Sequence, residues 1–178
     1  MRHMRIPDIP RGTIPPDPVA PDALAGIPRQ QSNPPRWQGT GWGPFRDALR
    51  SAGIELREGP VHGSLYVTDA GGMAHGMPTA CLVARSAEQV ATVLRAAQEH
   101  VVPVTTRGGG LTTEGESVAF GGLMLDMTGM SRVLAIDPGA MTVRTQAGIF
   151  WHELAENLRR RGLDYLSAPL NLTSSVGG

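Results

Sequence analysis

Val101-Val102-Pro103-Val104-Thr105-Thr106-Arg107-Gly108-Gly109-Gly110-Leu111-Thr112-Thr113-Glu114-Gly115-Glu116 is the stretch from which the fold can be read. A short β-branched run leads into an arginine, three glycines and two threonines. Glycine has no Cβ, so its N–H can approach an anionic oxygen, and it tolerates positive φ. Successive N–H groups turned inward form a nest of partial positive charge. Arg107 and the threonine hydroxyls are available as further donors. Three glycines after a strand also serve as an ordinary turn. A dinucleotide fingerprint needs a helix opening directly after the glycines. Here Thr112 to Ser117 carries no helical apolar period. A P-loop needs a lysine, and none lies nearby. What remains is a strand, a glycine loop and a second strand, Leu123-Met124-Leu125-Asp126, with backbone groups set for an anion.

Working outward, Ala80-Cys81-Leu82-Val83 reads as a buried strand. Ser86-Ala87-Glu88-Gln89 has capping-box spacing and opens a helix reaching about His100. Its apolar stripe is Val90, Val93, Leu94 and Ala97. Val101 to Thr106 forms the next strand, so Ala80 to Thr106 is a βαβ unit. The glycine loop then lies at the carboxyl end of a strand, where α/β sheets bind ligands. Downstream, Val133 to Ile136 and Met141 to Ala147 read as strands around an Asp137-Pro138-Gly139 turn, the second of them half-buried. Gly148 leads into a helix with Trp151, Leu154, Ala155 and Leu158 inside. Arg159, Arg160 and Arg161 sit at its solvated end, and Gly162 stops it. Asn171 to Gly178 is a second polar, glycine-ended loop.

Upstream, residues 1–40 are dense in proline and predict an extended or disordered arm. Pro44 to Ala52 predicts a short helix ended by Gly53. Residues 59–78 predict a surface loop. The domains are therefore a 1–40 arm, a 41–75 helix and linker, and a 76–178 ligand-binding domain of α/β (α+β) class. With 178 residues the chain can build one core. Its 16 basic and 16 acidic side chains cancel, with no basic block among aromatics, which argues against nucleic acid. No apolar run approaches the ~20 residues of a membrane span. The start lacks an apolar signal region, which points to the cytoplasm unless an export signal was removed. Cys81, the lone cysteine, reads as a core thiol. Five scattered histidines offer no metal pair.

Taken in order, several motifs resemble the flavin-binding, PCMH-type domain of the vanillyl-alcohol oxidase superfamily. They are Ala84-Arg85-Ser86-Ala87-Glu88-Gln89-Val90, Arg107-Gly108-Gly109-Gly110, Asp126-Met127, Gln146-Ala147-Gly148 before Trp151, and Val176-Gly177-Gly178. Asp69-Ala70-Gly71-Gly72 followed by Pro78-Thr79-Ala80 looks like the lead-in of cytokinin dehydrogenases. The resemblance covers roughly 60–178 and implies FAD as cofactor. It places Thr106, Arg107, Gly108, Gly109, Gly110, Leu111, Thr112 and Glu116 around the FAD pyrophosphate. Ser175, Val176, Gly177 and Gly178 line the same cofactor. It also implies hydride transfer to FAD from a C–H next to oxygen or nitrogen of a small-molecule substrate.

The chain departs from that pattern in several places. Many relatives carry a flavin-bonded histidine where this chain has Leu111, so the flavin is expected to be non-covalent there. Glu116 stands where relatives resembling cytokinin dehydrogenases often have glutamine. A carboxylate beside a pyrophosphate is repulsive, so either Glu116 turns outward or the loop differs. The position of the cytokinin dehydrogenase base falls near Leu170, and Asp164-Tyr165 comes too early, so no catalytic base is assigned. Relatives continue past the Val-Gly-Gly loop. The expectation is a fragment completed by a complementary C-terminal segment or a second copy, with weak FAD binding by the 178 residues alone. A catalytically inactive flavin-domain relic, and an α/β domain for another phosphate ligand, are the competing readings.

Overall fold

The computed structural model describes residues 35–167 and 169–178, so the expectation for 1–34 lies outside the described residues. Residues 35–39 carry no helix or strand. Helix α1 (Trp42–Ser51) begins slightly before the predicted Pro44. Phe45 and Leu49, one helical turn apart, are its buried pair. Gly53, at φ +74°, follows its end. A two-residue strand β1 (Arg57–Glu58), too short to carry a period, comes next. The surface loop predicted for 59–78 is corrected. It contains helix α2 (Pro60–Gly63) and a 3-10 turn (Ser64–Tyr66), and it buries Tyr66, Asp69 and Pro78.

Strand β2 (Ala80–Val83), helix α3 (Ala87–Glu99), strand β3 (Val104–Arg107) and strand β4 (Leu123–Asp126) complete the main sheet, in the order β1-β2-β4-β3. The βαβ unit is present, but β4 lies between its two strands. β4 runs parallel to both, with Asp126 in register with Val83 and Arg107. Its central place explains its continuous apolar run, since a strand covered on both faces has no polar side. Leu123 and Leu125 face a core with Phe45, Leu49, Leu82, Val93 and Val102. Met124 faces the other way, onto Tyr66, Cys81 and Ala119. Burial, then the nearby Asp126 charge, pushes the Cys81 thiol up to about 11, and its Sγ lies 3.7 Å from the His62 carbonyl. It is an inert core thiol, as expected.

The predicted box opens α3 with one difference. Ser86 Oγ accepts from Gln89 N–H at 3.2 Å, while Gln89 Oε1 reaches back to Arg85 N–H at 2.8 Å. The stripe is corrected at one position: Val93, Ala96 and Ala97 are buried, and Leu94 is 45% exposed. The strand expected from Val101 starts at Val104 because the helix ends in a Schellman turn. Val102 N–H bonds Ala97 O at 2.9 Å and Val101 N–H bonds Gln98 O at 3.4 Å. That turn puts Val101 at φ +55° with its side chain 78% exposed. A β-branched residue there is strained. Val101→Gly should therefore stabilise the fold by about 1 kcal/mol, less part of glycine's greater unfolded-state entropy. A urea-denaturation midpoint that rises agrees; one that falls contradicts the turn.

Strands β5 (Val133–Asp137) and β6 (Thr142–Thr145) form a separate antiparallel hairpin. Asp137 Oδ1 accepts from Gly139 and Ala140 N–H, each at 3.0 Å, and closes its turn. The half-buried strand predicted here is corrected: Thr142, Val143 and Arg144 are all exposed. Helix α4 (Trp151–Arg159) buries Leu154, Ala155 and Leu158 beside Ile149. Arg160 pairs with Glu156 at 3.1 Å and Arg159 with Asp164 at 3.5 Å on its exposed end. Gly162, at φ +70°, ends it as predicted. Among the described residues no helix is long and apolar enough to cross a membrane.

Candidate functional site

The site is built where β3 runs out. Gly108, Gly109 and Gly110 follow Arg107 directly, and Gly110 turns the chain at φ +70°. A Cβ on Gly108 would collide with Ser175 Oγ. A Cβ on Gly109 would lie 2.8 Å from Thr173 O and 3.2 Å from the Phe150 ring. So the structure brings together the two loops that the sequence set almost seventy residues apart. The N–H groups of Gly108, Gly109, Gly110, Leu111 and Thr112 have no acceptor among the described residues. Of the five residues only Gly110 is buried, so the others are open to solvent, and successive backbone donors in a glycine turn are open to an anion as well.

The second loop plays a different part. Its carbonyls cap α4: Ser174 O accepts from Trp151 N–H at 3.1 Å and Leu172 O from His152 N–H at 3.0 Å. Its own N–H groups are used internally. Val176 bonds Ile149 O and Gly177 bonds Ala147 O, each at 2.8 Å, and Gly178 bonds Ser175 O at 3.3 Å. Gly177 lacks a side chain because one would press on Ala147 Cβ at 2.6 Å. Ser175, Val176, Gly177 and Gly178 thus form a wall behind the glycines, with few donors of their own to offer.

The expected side-chain donors are committed elsewhere. Thr112 Oγ1 donates to Asp69 Oδ2 at 2.8 Å, and the Ser117 hydroxyl, 2.6 Å away, donates to it in turn. Arg107 Nη1 bonds Ser117 O at 3.3 Å, and its guanidinium lies 5.7 Å from the Tyr66 ring centre. The Tyr66 hydroxyl donates to Asp126 Oδ2 at 2.8 Å, and Thr128 N–H and Oγ1 donate to Asp126 Oδ1. Burial, then that bond to Asp126, raises Tyr66 far above the ordinary phenol range, so it stays a neutral donor. Thr106 is exposed on β3 and is not drawn into the loop. Leu111 is half-buried. Glu116 is exposed and turned onto its own loop, where its Oε2 accepts from Glu114 N–H at 3.2 Å.

Asp69 is the site residue that the sequence reading quoted without giving it a role. It is 6% exposed. Oδ1 accepts from Gly71 and Gly72 N–H at 3.2 and 3.3 Å; Oδ2 accepts from Thr112 Oγ1 and Gly115 N–H, both at 2.8 Å. Burial raises its pKa, but these four bonds outweigh it and hold the carboxyl below the usual range. A lowered folded value means the unfolded chain binds the proton more tightly. The stabilisation is therefore complete above the unfolded value of about 3.9 and is lost as pH falls through the folded one. Acid titrations should show wild type losing more stability below about pH 4 than Asp69→Asn; parallel curves would contradict the assignment. The aspartate two residues before a Gly-Gly pair is the signal that sequence reasoning could have used, because such a carboxylate caps its own turn.

Residues 78–178 match a family described as an FAD binding domain. The chain is 29% identical over 127 residues to D-lactate dehydrogenase of Anaerostipes hadrus, covering 71% of this chain and 26% of that protein. It is 36% identical over 106 residues to the mitochondrial D-lactate dehydrogenase [cytochrome] of Arabidopsis thaliana, covering 59% and 18%. It spans about a quarter or less of the length of these relatives. Alkyldihydroxyacetonephosphate synthase superposes with a TM-score of 0.69 at 21% identity, covering 82% of this chain and 32% of that one, a likeness of fold.

Proposed function

The chain belongs to the FAD binding domain family, and from that premise we propose that its glycine loop holds the FAD pyrophosphate within a flavin-dependent oxidoreductase of 2-hydroxy acids. The observation that carries this reading is the run of N–H groups from Gly108 to Thr112 that have no acceptor among the described residues. A diphosphate offers several oxygens to such a run, and glycine lets them come close. Arg107 sits against the loop, since a Cβ on Gly110 would strike its guanidinium. There it adds positive charge without a direct bond to the ligand. Ser175, Val176, Gly177 and Gly178 keep the cradle's far side in place.

FAD supplies an acceptor for the hydride of a C–H bond next to oxygen or nitrogen. This chain's residues bind and orient; none is assigned as the base. The 2-hydroxy acid class rests on the names of the two D-lactate dehydrogenases to which the chain is similar. The likeness of Asp69 to Gly72 to cytokinin dehydrogenases has a structural explanation in the Asp69 bonds, so it carries no substrate information. Leucine has no nucleophilic atom, so Leu111 makes no covalent bond to the flavin.

The test uses the FAD-loaded protein that carries this chain. Acid precipitation should leave the flavin in the supernatant; flavin in the pellet refutes non-covalent binding. Anaerobic addition of D-lactate or a related 2-hydroxy acid should bleach the flavin absorbance. Bleaching by amines alone would refute the substrate class.

A further inference from the structure

We propose that Asp69 is the positioning residue of the cofactor loop: its carboxylate fills one concavity of the loop and so keeps the N–H groups of Gly108, Gly109, Gly110 and Leu111 free for the pyrophosphate. The inference rests on the functional reading above.

The loop from Arg107 to Ser117 contains two sets of donors. One set, Thr112 Oγ1 and Gly115 N–H, converges on Asp69 Oδ2. The other, the N–H groups from Gly108 to Leu111, meets no acceptor among the described residues. Two backbone bonds lock the aspartate's own segment to the same loop, Ala70 N–H to Gly110 O at 3.0 Å and Gly71 N–H to Thr112 O at 3.2 Å. The contact is tight, since a Cβ on Gly71 would run into Thr113 O. The connection continues behind the loop from Thr112 through Ser117 to Arg107, and from Arg107 over Tyr66 to Asp126 at the end of β4. Asp69 therefore ties the loop to the sheet through groups other than the N–H groups of Gly108 to Leu111.

Removing the carboxylate takes away the one acceptor that Gly115 N–H has among the described residues and the acceptor of Thr112 Oγ1, while Gly71 and Gly72 N–H keep the carbonyls of Thr112 and Asp69. Donors released in this way take other acceptors at the expense of the local backbone. The carbonyls of Gly110 and Thr112, within the cradle itself, already accept from the aspartate's segment. The expected result is a loop that closes on itself and a cofactor that binds less tightly, in a protein that keeps its core.

Asp69→Asn keeps the shape but puts an amide donor or a weaker acceptor against Gly115 N–H and Thr112 Oγ1. Thr112→Val removes one bond and leaves the carboxylate, so it serves if the first variant fails to fold. Three quantities are measured on the full protein that carries this chain, as wild type and both variants: FAD affinity well below the melting transition, the melting temperature, and amide exchange of Gly115 and Gly108 to Leu111 without FAD. The proposal expects Asp69→Asn to raise the FAD Kd about tenfold or more, with a smaller rise for Thr112→Val, and faster Gly115 exchange in both. A purely structural aspartate lowers the melting temperature and leaves the Kd unchanged; that result overturns the proposal and spares the functional reading. Unchanged Gly115 exchange overturns the clamp itself. No FAD uptake by wild type defeats the functional reading and the positioning role together, and the exchange data then show whether a structural clamp survives.

Discussion

Gly108→Ala is expected to weaken FAD binding by about 100-fold, or ~2.8 kcal/mol. The added methyl cannot be accommodated by a rotamer change alone. It would strike Ser175 Oγ, and Ser175 Cβ lies only 2.9 Å away. Ser175 is 3% exposed and bridged to Phe150, so it has nowhere to move. Either the glycine loop or the wall must shift, and a shift of that kind breaks the alignment of the N–H groups. Stability should fall less than affinity, because the loop is irregular and carries little of the core. Gly108→Ala combined with Ser175→Gly removes both clashing atoms and should recover much of the affinity. Gly43→Ala, in α1 with open space around it, is the control and should leave the FAD Kd unchanged. Equal affinity for Gly108→Ala and wild type would contradict the close packing of the two loops.

The second large effect concerns the core. Phe45→Ala should cost about 3–5 kcal/mol. Phe45 is fully buried, packs with Leu49, Leu123 and Leu125, and meets the Trp42 ring at 5.4 Å between centres. Removing it leaves a cavity against the central strand, where neighbours in β2, β4 and α3 are already close-packed. For a domain of ordinary stability, ~5–15 kcal/mol, that is a large fraction. Urea unfolding followed by circular dichroism gives the number. A single shifted transition would mean that 41–75 unfolds together with 76–178. A loss below about 1 kcal/mol would contradict the burial of α1 in the common core.

Elements with local signals were legible in the sequence. α3 shows its N-terminus through Ser86 and Gln89, and α4 its end through Gly162, because caps and stops act on neighbouring residues. The irregular turn at Gly108 to Gly110 was legible because consecutive glycines end a strand. The family followed from the order of several motifs, each weak alone. The insertion of β4 between β2 and β3 was not legible, since parallel strand order is set by side chains far apart in the chain. Val101 looked like the start of a strand by its branching, yet the helix end placed it at positive φ. Met141 and Val143 alternate as a half-buried strand should, but nothing among the described residues covers them. Within the site, Thr112 and Arg107 looked like ligand donors because the sequence did not show that Asp69 and Ser117 already engage them.

The central claim is that backbone N–H groups of the glycine loop hold the FAD pyrophosphate. Amide chemical-shift mapping of the full protein that carries this chain, during an FAD titration, tests it residue by residue. The largest shifts are expected at Gly108, Gly109, Gly110, Leu111 and Thr112. ADP, which carries the diphosphate, should reproduce them, and riboflavin, which carries none, should not. Large shifts elsewhere with these five amides unmoved, or riboflavin acting like FAD, would contradict it.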